Sequence, residues 1–289
     1  MNYVAYFGLR EPPFGITPDT SFFYACRGTQ EALNTLLVAL ANGEGFIKIT
    51  GEVGTGKTLL CRKFLATLDA GWVSAYLPNP TLDPRGLLLA LTEELGVAAD
   101  TGADQHRLLK GITKCLLDLA RLRKRVVLCM DECQAMSLET LEAVRLLTNL
   151  ETEKRKLVHV VLFGQPELDR KLRDRSIRQL LQRITFHYTL GGLAEDEVGA
   201  YVSHRLAVAG YGQEPLFADG AVAALHRGSR GIPRLVNILA HKSLLLVFGE
   251  GGRRVERRHV GAAVADTPAA APLARLWWPR FLRYSRLAD

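Results

Sequence analysis

The segment Gly51-Glu52-Val53-Gly54-Thr55-Gly56-Lys57-Thr58 constrains this chain more than any other stretch. It follows the apolar run Phe46–Thr50 and precedes a helical pattern from Lys57 to about Leu68. Glycines let such a loop curl until its backbone N–H groups converge on phosphate oxygens. The N-terminus of the following helix adds positive potential at the same point. With this spacing Lys57 is expected to reach the β- and γ-phosphates of ATP, and Thr58 to ligate Mg²⁺. Gly51, Glu52, Val53, Gly54, Thr55 and Gly56 are the expected cradle.

The rest of the first 190 residues alternates strands with helices. Strands are expected at Phe46–Thr50, Val73–Leu77, Arg125–Met130, Val158–Phe163 and Ile184–Thr189. Helices are expected near 29–41, 57–68, 85–95, 105–123 and from Ser137 to about Asn149, with Ser137 as cap and Glu139 in the first turn. Such alternation specifies a three-layer α/β domain around a mainly parallel sheet. After Gly191-Gly192 the pattern turns to helices alone, at 194–209, 219–227, 233–248 and 256–265. The expected domains are therefore 1–190 (the ATPase body with an aromatic, proline-rich N-terminal arm), 191–266 (helical) and 267–289 (a basic, aromatic tail).

Three further signals bear on chemistry. Val126-Val127-Leu128-Cys129-Met130 delivers Asp131 and Glu132 at a strand's C-terminal end, where open α/β sheets bind ligands. Asp131 suits Mg²⁺, held through water, and Glu132 suits orienting or deprotonating an attacking water. Gln165, just after Val158–Phe163, suits a hydrogen bond to the γ-phosphate or that water. Among Arg173, Arg175, Arg178 and Arg183, one residue inserted into a neighbouring subunit would act as an arginine finger; Arg183 is the first choice and Arg178 the second. In Gly231-Ile232-Pro233-Arg234, the proline suits a first helical turn, and Arg234 is expected to reach back to the γ-phosphate.

Composition excludes some classes. With 48% apolar and 23% charged residues, the chain has the composition of a soluble globular protein with a real core and not of a disordered one. Its aliphatic runs reach only five residues, and a spanning helix needs about 20. No basic, apolar leader opens the sequence. The five cysteines form no CxxC pair, so neither a zinc site nor a disulfide framework is expected, and a reducing, cytoplasmic setting is. The net charge is +7, and from Glu250 onward eight arginines face four acids. The stretch Leu273–Arg283, with Trp277 and Trp278 among arginines, suits a peripheral membrane contact.

Taken together the motifs resemble the AAA+ ATPases. More narrowly they resemble the general secretion pathway protein A group, and within it the shorter ATPases of MSHA type IV pilus biogenesis. The matching stretches are Tyr6–Asp19, Gly45–Arg62, Asp131–Gln134 (DECQ), Leu146–Lys156, Val160–Leu168 and Gly231–Asn237. The resemblance implies the sheet order 5-1-4-3-2, a C-terminal helical lid, and nucleotide roles for Gly51–Thr58, Asp131, Glu132, Gln165 and Arg234. It also implies a ring-like homo-oligomer, expected to be a hexamer, on the cytoplasmic face of the inner membrane beside pilus or secretion assembly proteins.

Two departures stand out. Cys133 replaces the group's usual alanine. Many secretion-type relatives continue into a membrane span and a peptidoglycan-binding domain, whereas this chain stops soon after the helices, which favours the pilus-type reading. The alternative function is a nucleic-acid-associated ATPase of the transposition-helper or origin-binding kind. A body lacking strong basic charge and an appended helix-turn-helix argues against it.

Overall fold

The computed structural model describes residues 2–98, 102–152 and 155–273. They form two compact units, one of the described residues within 15–193 with 232–234, the other of residues 2–14, 194–231 and 235–273.

The first unit holds five parallel strands: β1 (Phe46–Gly51), β2 (Trp72–Leu77), β3 (Arg125–Met130), β4 (Val158–Gly164) and β5 (Phe186–Leu190). Their spatial order is β2-β3-β4-β1-β5, which is the expected 5-1-4-3-2 read from the other edge. Every residue of β1 and β4 is buried, as is β3 after Arg125. Strands covered on both faces read as continuous apolar runs, which is why they were visible in the sequence.

Side chains alternate between faces along each strand. Val127 and Cys129 of β3 meet Ile47, Ile49, Val161 and Phe163 in the core beneath α1 (Arg27–Ala41) and α2 (Lys57–Thr67). Val126, Leu128 and Met130 belong to the other core, under α3 (Pro84–Glu94), α4 (Gln105–Arg121) and α5 (Leu138–Leu147). Asp83, Asp104 and Ser137 cap these last three helices, accepting from backbone N–H groups at 2.6, 2.8 and 3.1 Å. Two short helices, α6 (Pro166–Leu172) and α7 (Arg178–Leu181), follow β4. A small antiparallel ribbon pairs Glu151–Thr152 with Arg155–Lys156; its strands are too short to leave a periodic signal.

Within the sheet, Lys48 of β1 is nearly buried and its amine is ion-paired to Asp169 of α6. Removing the carboxylate strands a charge that water barely reaches. Asp169→Ala is therefore expected to lower stability by about 2 kcal/mol, below the fully buried range because Asp169 is partly exposed. Urea unfolding would show it, and an unshifted midpoint would contradict it.

The second unit contains α8 (Glu195–Val208), α9 (Asp219–Ser229), most of α10 (Pro233–Gly249) and α11 (Arg257–Ala265). Of the N-terminal arm, expected with the sheet, residues 2–14 belong here instead, while the chain from Gly15 stays with the sheet. Arg10 N–H donates to the Ala209 carbonyl at 2.8 Å, and Tyr6 O–H to Gly252 at 3.1 Å. The buried Arg205 side chain donates to the Pro13 carbonyl at 2.6 Å. The arm's proline-broken sequence has no period from which such docking could be read. Of the expected tail, everything from residue 274 lies outside the described residues. No helix among the described residues is long and apolar enough to cross a membrane.

Candidate nucleotide-binding site

Three neighbouring strands end at one place. β4 lies between β1 and β3, so the loop after β1, Gln165 after β4, and Asp131 with Glu132 after β3 converge at the C-terminal edge. The loop's path needs its glycines. A Cβ on Gly51 would lie 2.5 Å from the Leu190 carbonyl oxygen. Gly54 has φ +85°, and a Cβ there would lie 2.5 Å from the Arg234 Cβ. Thr55 ties the turn by donating to the Glu52 carbonyl at 2.9 Å, while Val53 points outward. Gly56 precedes α2, which begins at Lys57.

The Lys57 stem is buried, and its ammonium donates to the carbonyls of Gly51 at 2.8 Å and Glu52 at 2.9 Å. Burial pulls its pKa down, opposed by the nearby charges of Glu132 and Asp131. The hydroxyl of Thr58 donates to Asp131 Oδ2 at 2.5 Å, and the Glu132 N–H donates to Asp131 Oδ1 at 2.9 Å. Burial pushes the Asp131 carboxyl up. The Thr58 and Glu132 hydrogen bonds oppose that shift, the Glu132 charge adds to it, and Lys57 offsets it. A buried carboxylate beside a hydroxyl is the kind of group a dication stabilises.

Glu132 has φ +54°, rare for a residue with a side chain and typical of strained functional positions. Two amides hold its carboxylate. Gln165 Nε2 donates to Oε2 at 3.2 Å, and Gln134 Nε2 donates to the same oxygen at 2.5 Å. Gln134 Oε1 also accepts from the Gln165 N–H at 2.9 Å, so one side chain links the ends of β3 and β4. The short turn that carries Gln134 is pinned by Lys171, whose amine donates to the Gln134 and Met136 carbonyls at 2.5 and 2.6 Å.

Neither Gln134 nor Lys171 was singled out by sequence reasoning. The only signal was an amide, able to donate and accept at once, two residues beyond a strand-end acid. Gln134→Ala is expected to leave nucleotide affinity unchanged and to slow turnover by about 10- to 100-fold, since it removes orientation and not charge. Steady-state kinetics with a separate binding titration would separate the two; wild-type turnover would contradict the assignment.

The remaining candidates differ in what they face. The Arg234 backbone N–H donates to the Gly54 carbonyl at 3.2 Å, which puts the start of α10 on the loop. Arg183, the first choice for a finger, donates to Thr148 Oγ1 at 2.8 Å within its own chain. Arg178, the second choice, is exposed.

A glycine-built loop, a buried lysine, a hydroxyl beside a carboxylate and a restrained glutamate fit a magnesium-bound triphosphate. The donors are hard oxygens, which suit Mg²⁺. Residues 40–172 match the AAA domain family. Over 264 residues the chain is 43% identical to general secretion pathway protein A of Aeromonas hydrophila, a match covering 91% of this chain.

The chain belongs to the AAA+ proteins, in the general secretion pathway protein A group.

This AAA+ chain spans about half of that relative, 48% of its length. Among solved structures it is similar to the ORC2 protein of Aeropyrum pernix in its ADPNP–ADP complexes (TM-score 0.64, 16% identity, 89% of this chain and 73% of that one). It is also similar to Cdc6p of Pyrobaculum aerophilum (TM-score 0.67, 14% identity, 88% and 70%). A third is the RuvB Holliday junction branch migration motor of Thermotoga maritima (TM-score 0.57, 15% identity, 88% and 73%). At these identities the likeness is one of fold.

Proposed function

We propose that this AAA+ protein binds ATP with Mg²⁺, hydrolyses it, and uses the turnover to support assembly of a type IV (MSHA-like) pilus or a related secretion apparatus. The observation that carries the chemistry is the cluster of Thr58, Asp131 and Glu132 beside Lys57, with Glu132 held by two amides. The process rests on similarity to a protein named for the general secretion pathway.

In this reading the loop amides and Lys57 hold the phosphates. Thr58 and Asp131 would hold Mg²⁺, which supplies charge neutralisation at the phosphate oxygens when bound. Glu132 orients an attacking water and accepts its proton. Gln165 places its amide beside Glu132, within reach of that water or the γ-phosphate, and Arg234 starts its helix on the loop.

Assembly into a ring of identical chains would bring an arginine to a neighbour's site. Exposure favours Arg178 over the in-chain-bonded Arg183. Unchanged ring ATPase in an Arg178→Ala chain would remove it as the finger. The partners are then inner-membrane assembly proteins, and the location is the cytoplasmic face of that membrane.

The process is tested in cells. Replacing the chromosomal copy with a Lys57→Ala version is expected to abolish surface pili or secretion. Normal assembly with that variant would sink the biological reading and leave the ATPase chemistry standing.

A further inference from the structure

One stretch of this chain is strongly basic. Between Gln105 and Arg125 the sequence holds seven lysines and arginines against one carboxylate, Asp118, a surplus of six in a chain whose whole net charge is +7. Most of these cations lie on α4. Its inner face, Leu108, Ile112 and Leu116, is buried in the sheet core. Its outer face repeats at alternating steps of three and four: Arg107, Lys110, Lys114, Leu117 and Arg121, all exposed. That spacing puts the five side chains in one row along a helix.

Among the described residues the cations of Arg107, Lys110 and Lys114 have no carboxylate partner, while Arg121 pairs with Asp118 at 2.7 Å. Two large aliphatics sit in or beside the row, Leu117 at 37% exposure and Leu122 at 71%. The cations just past the helix are engaged locally. Lys124 donates to the Ala70 carbonyl, and Arg125 stacks on Trp72 at 4.1 Å.

We propose that the outer row of α4 docks on an anionic phospholipid surface. Three cations without carboxylate partners on a rigid helix complement a plane of negative headgroups. Leu117 and Leu122 choose lipid over a nucleic acid, because exposed leucines gain by entering the headgroup region and gain nothing against a phosphate backbone. Long lysine stems let Lys110 and Lys114 keep their charges at headgroup level while the leucines settle lower. One row of this size binds weakly, so a ring presenting several copies would bind by avidity. The inference stands on α4 and does not need the proposed pilus role.

The test is co-sedimentation of the full chain with vesicles of phosphatidylglycerol mixed with phosphatidylcholine. Binding to these vesicles at low salt is expected, declining as salt is raised, with none to phosphatidylcholine alone. Lys110→Gln with Lys114→Gln is expected to weaken binding by about 30-fold, from about fivefold per cation near the surface. The same pair changed to arginine is expected to retain it, and ATP affinity is expected to stay unchanged in both. Absence of vesicle binding overturns the proposal. So does binding that the glutamine pair leaves intact, which would assign it to other basic residues. So does tighter binding to duplex DNA lost in the glutamine pair, which would assign the row to nucleic acid.

Discussion

Glu132→Gln is expected to lower kcat for ATP hydrolysis by about 10² to 10⁴-fold, the usual contribution of a positioned general base. The amide is nearly the same size, so it can occupy the same place, but it cannot take a proton from water. Nucleotide affinity should hold or rise, because the Thr58–Asp131 pair and Lys57 are untouched. A phosphate-release assay beside a binding titration reads both quantities. Equal turnover in the two proteins would leave a nucleotide-gated scaffold as the better account. The comparison with Gln134→Ala is informative because both residues meet at Glu132 Oε2. If Gln134 only orients Glu132, removing both should cost little more than removing Glu132 alone.

Lys57→Ala is expected to weaken ATP binding by about 10² to 10³-fold, as two charge-assisted hydrogen bonds to phosphate are lost. The free protein should fold, since the lysine's charge is already disfavoured by burial. Lys57→Met, which keeps the buried stem, separates packing from charge. It should match the alanine variant in affinity and exceed it in thermal stability. A fluorescent nucleotide titration measures the first and thermal melting the second. Unchanged affinity in either variant would contradict the phosphate role of this lysine.

Much of the site was legible because its chemistry is local. The loop from Gly51 to Thr58 must follow a strand and open a helix; the strand announces itself as an apolar run and the helix by its apolar spacing. Asp131 and Glu132 were visible because β3 is a continuous apolar run that ends on them. The sheet order agreed with the resemblance, but nothing in the run of residues itself says which strand lies beside which. Parallel neighbours are joined through long crossovers, so their adjacency is settled by packing.

Other features lay beyond reach for the same kind of reason. The Gln134 amide finds Gln165 across 31 residues, and no spacing rule connects them. Arg183 was the first choice for a finger, and within its own chain it donates to Thr148, 35 residues away. The arm before Gly15 looked like part of the sheet unit, but its partners Ala209, Pro13's donor Arg205, and Gly252 lie in the helical one. The basic row of α4 is not apparent in the sequence, because its cations are diluted by the leucines of its buried face and align only when the helix winds.

By itself, then, the sequence determined the strand–loop–helix order around Gly51–Thr58, the placing of the acid pair at a strand end and the burial of β1, β3 and β4, since each follows from the hydrophobic pattern and backbone freedom over a few residues. Tertiary structure alone decided which amides hold Glu132, that Arg183 is bonded within its own chain, and where the arm docks. Those outcomes depend on contacts between distant segments, and their energies exist only once the chain has closed on itself.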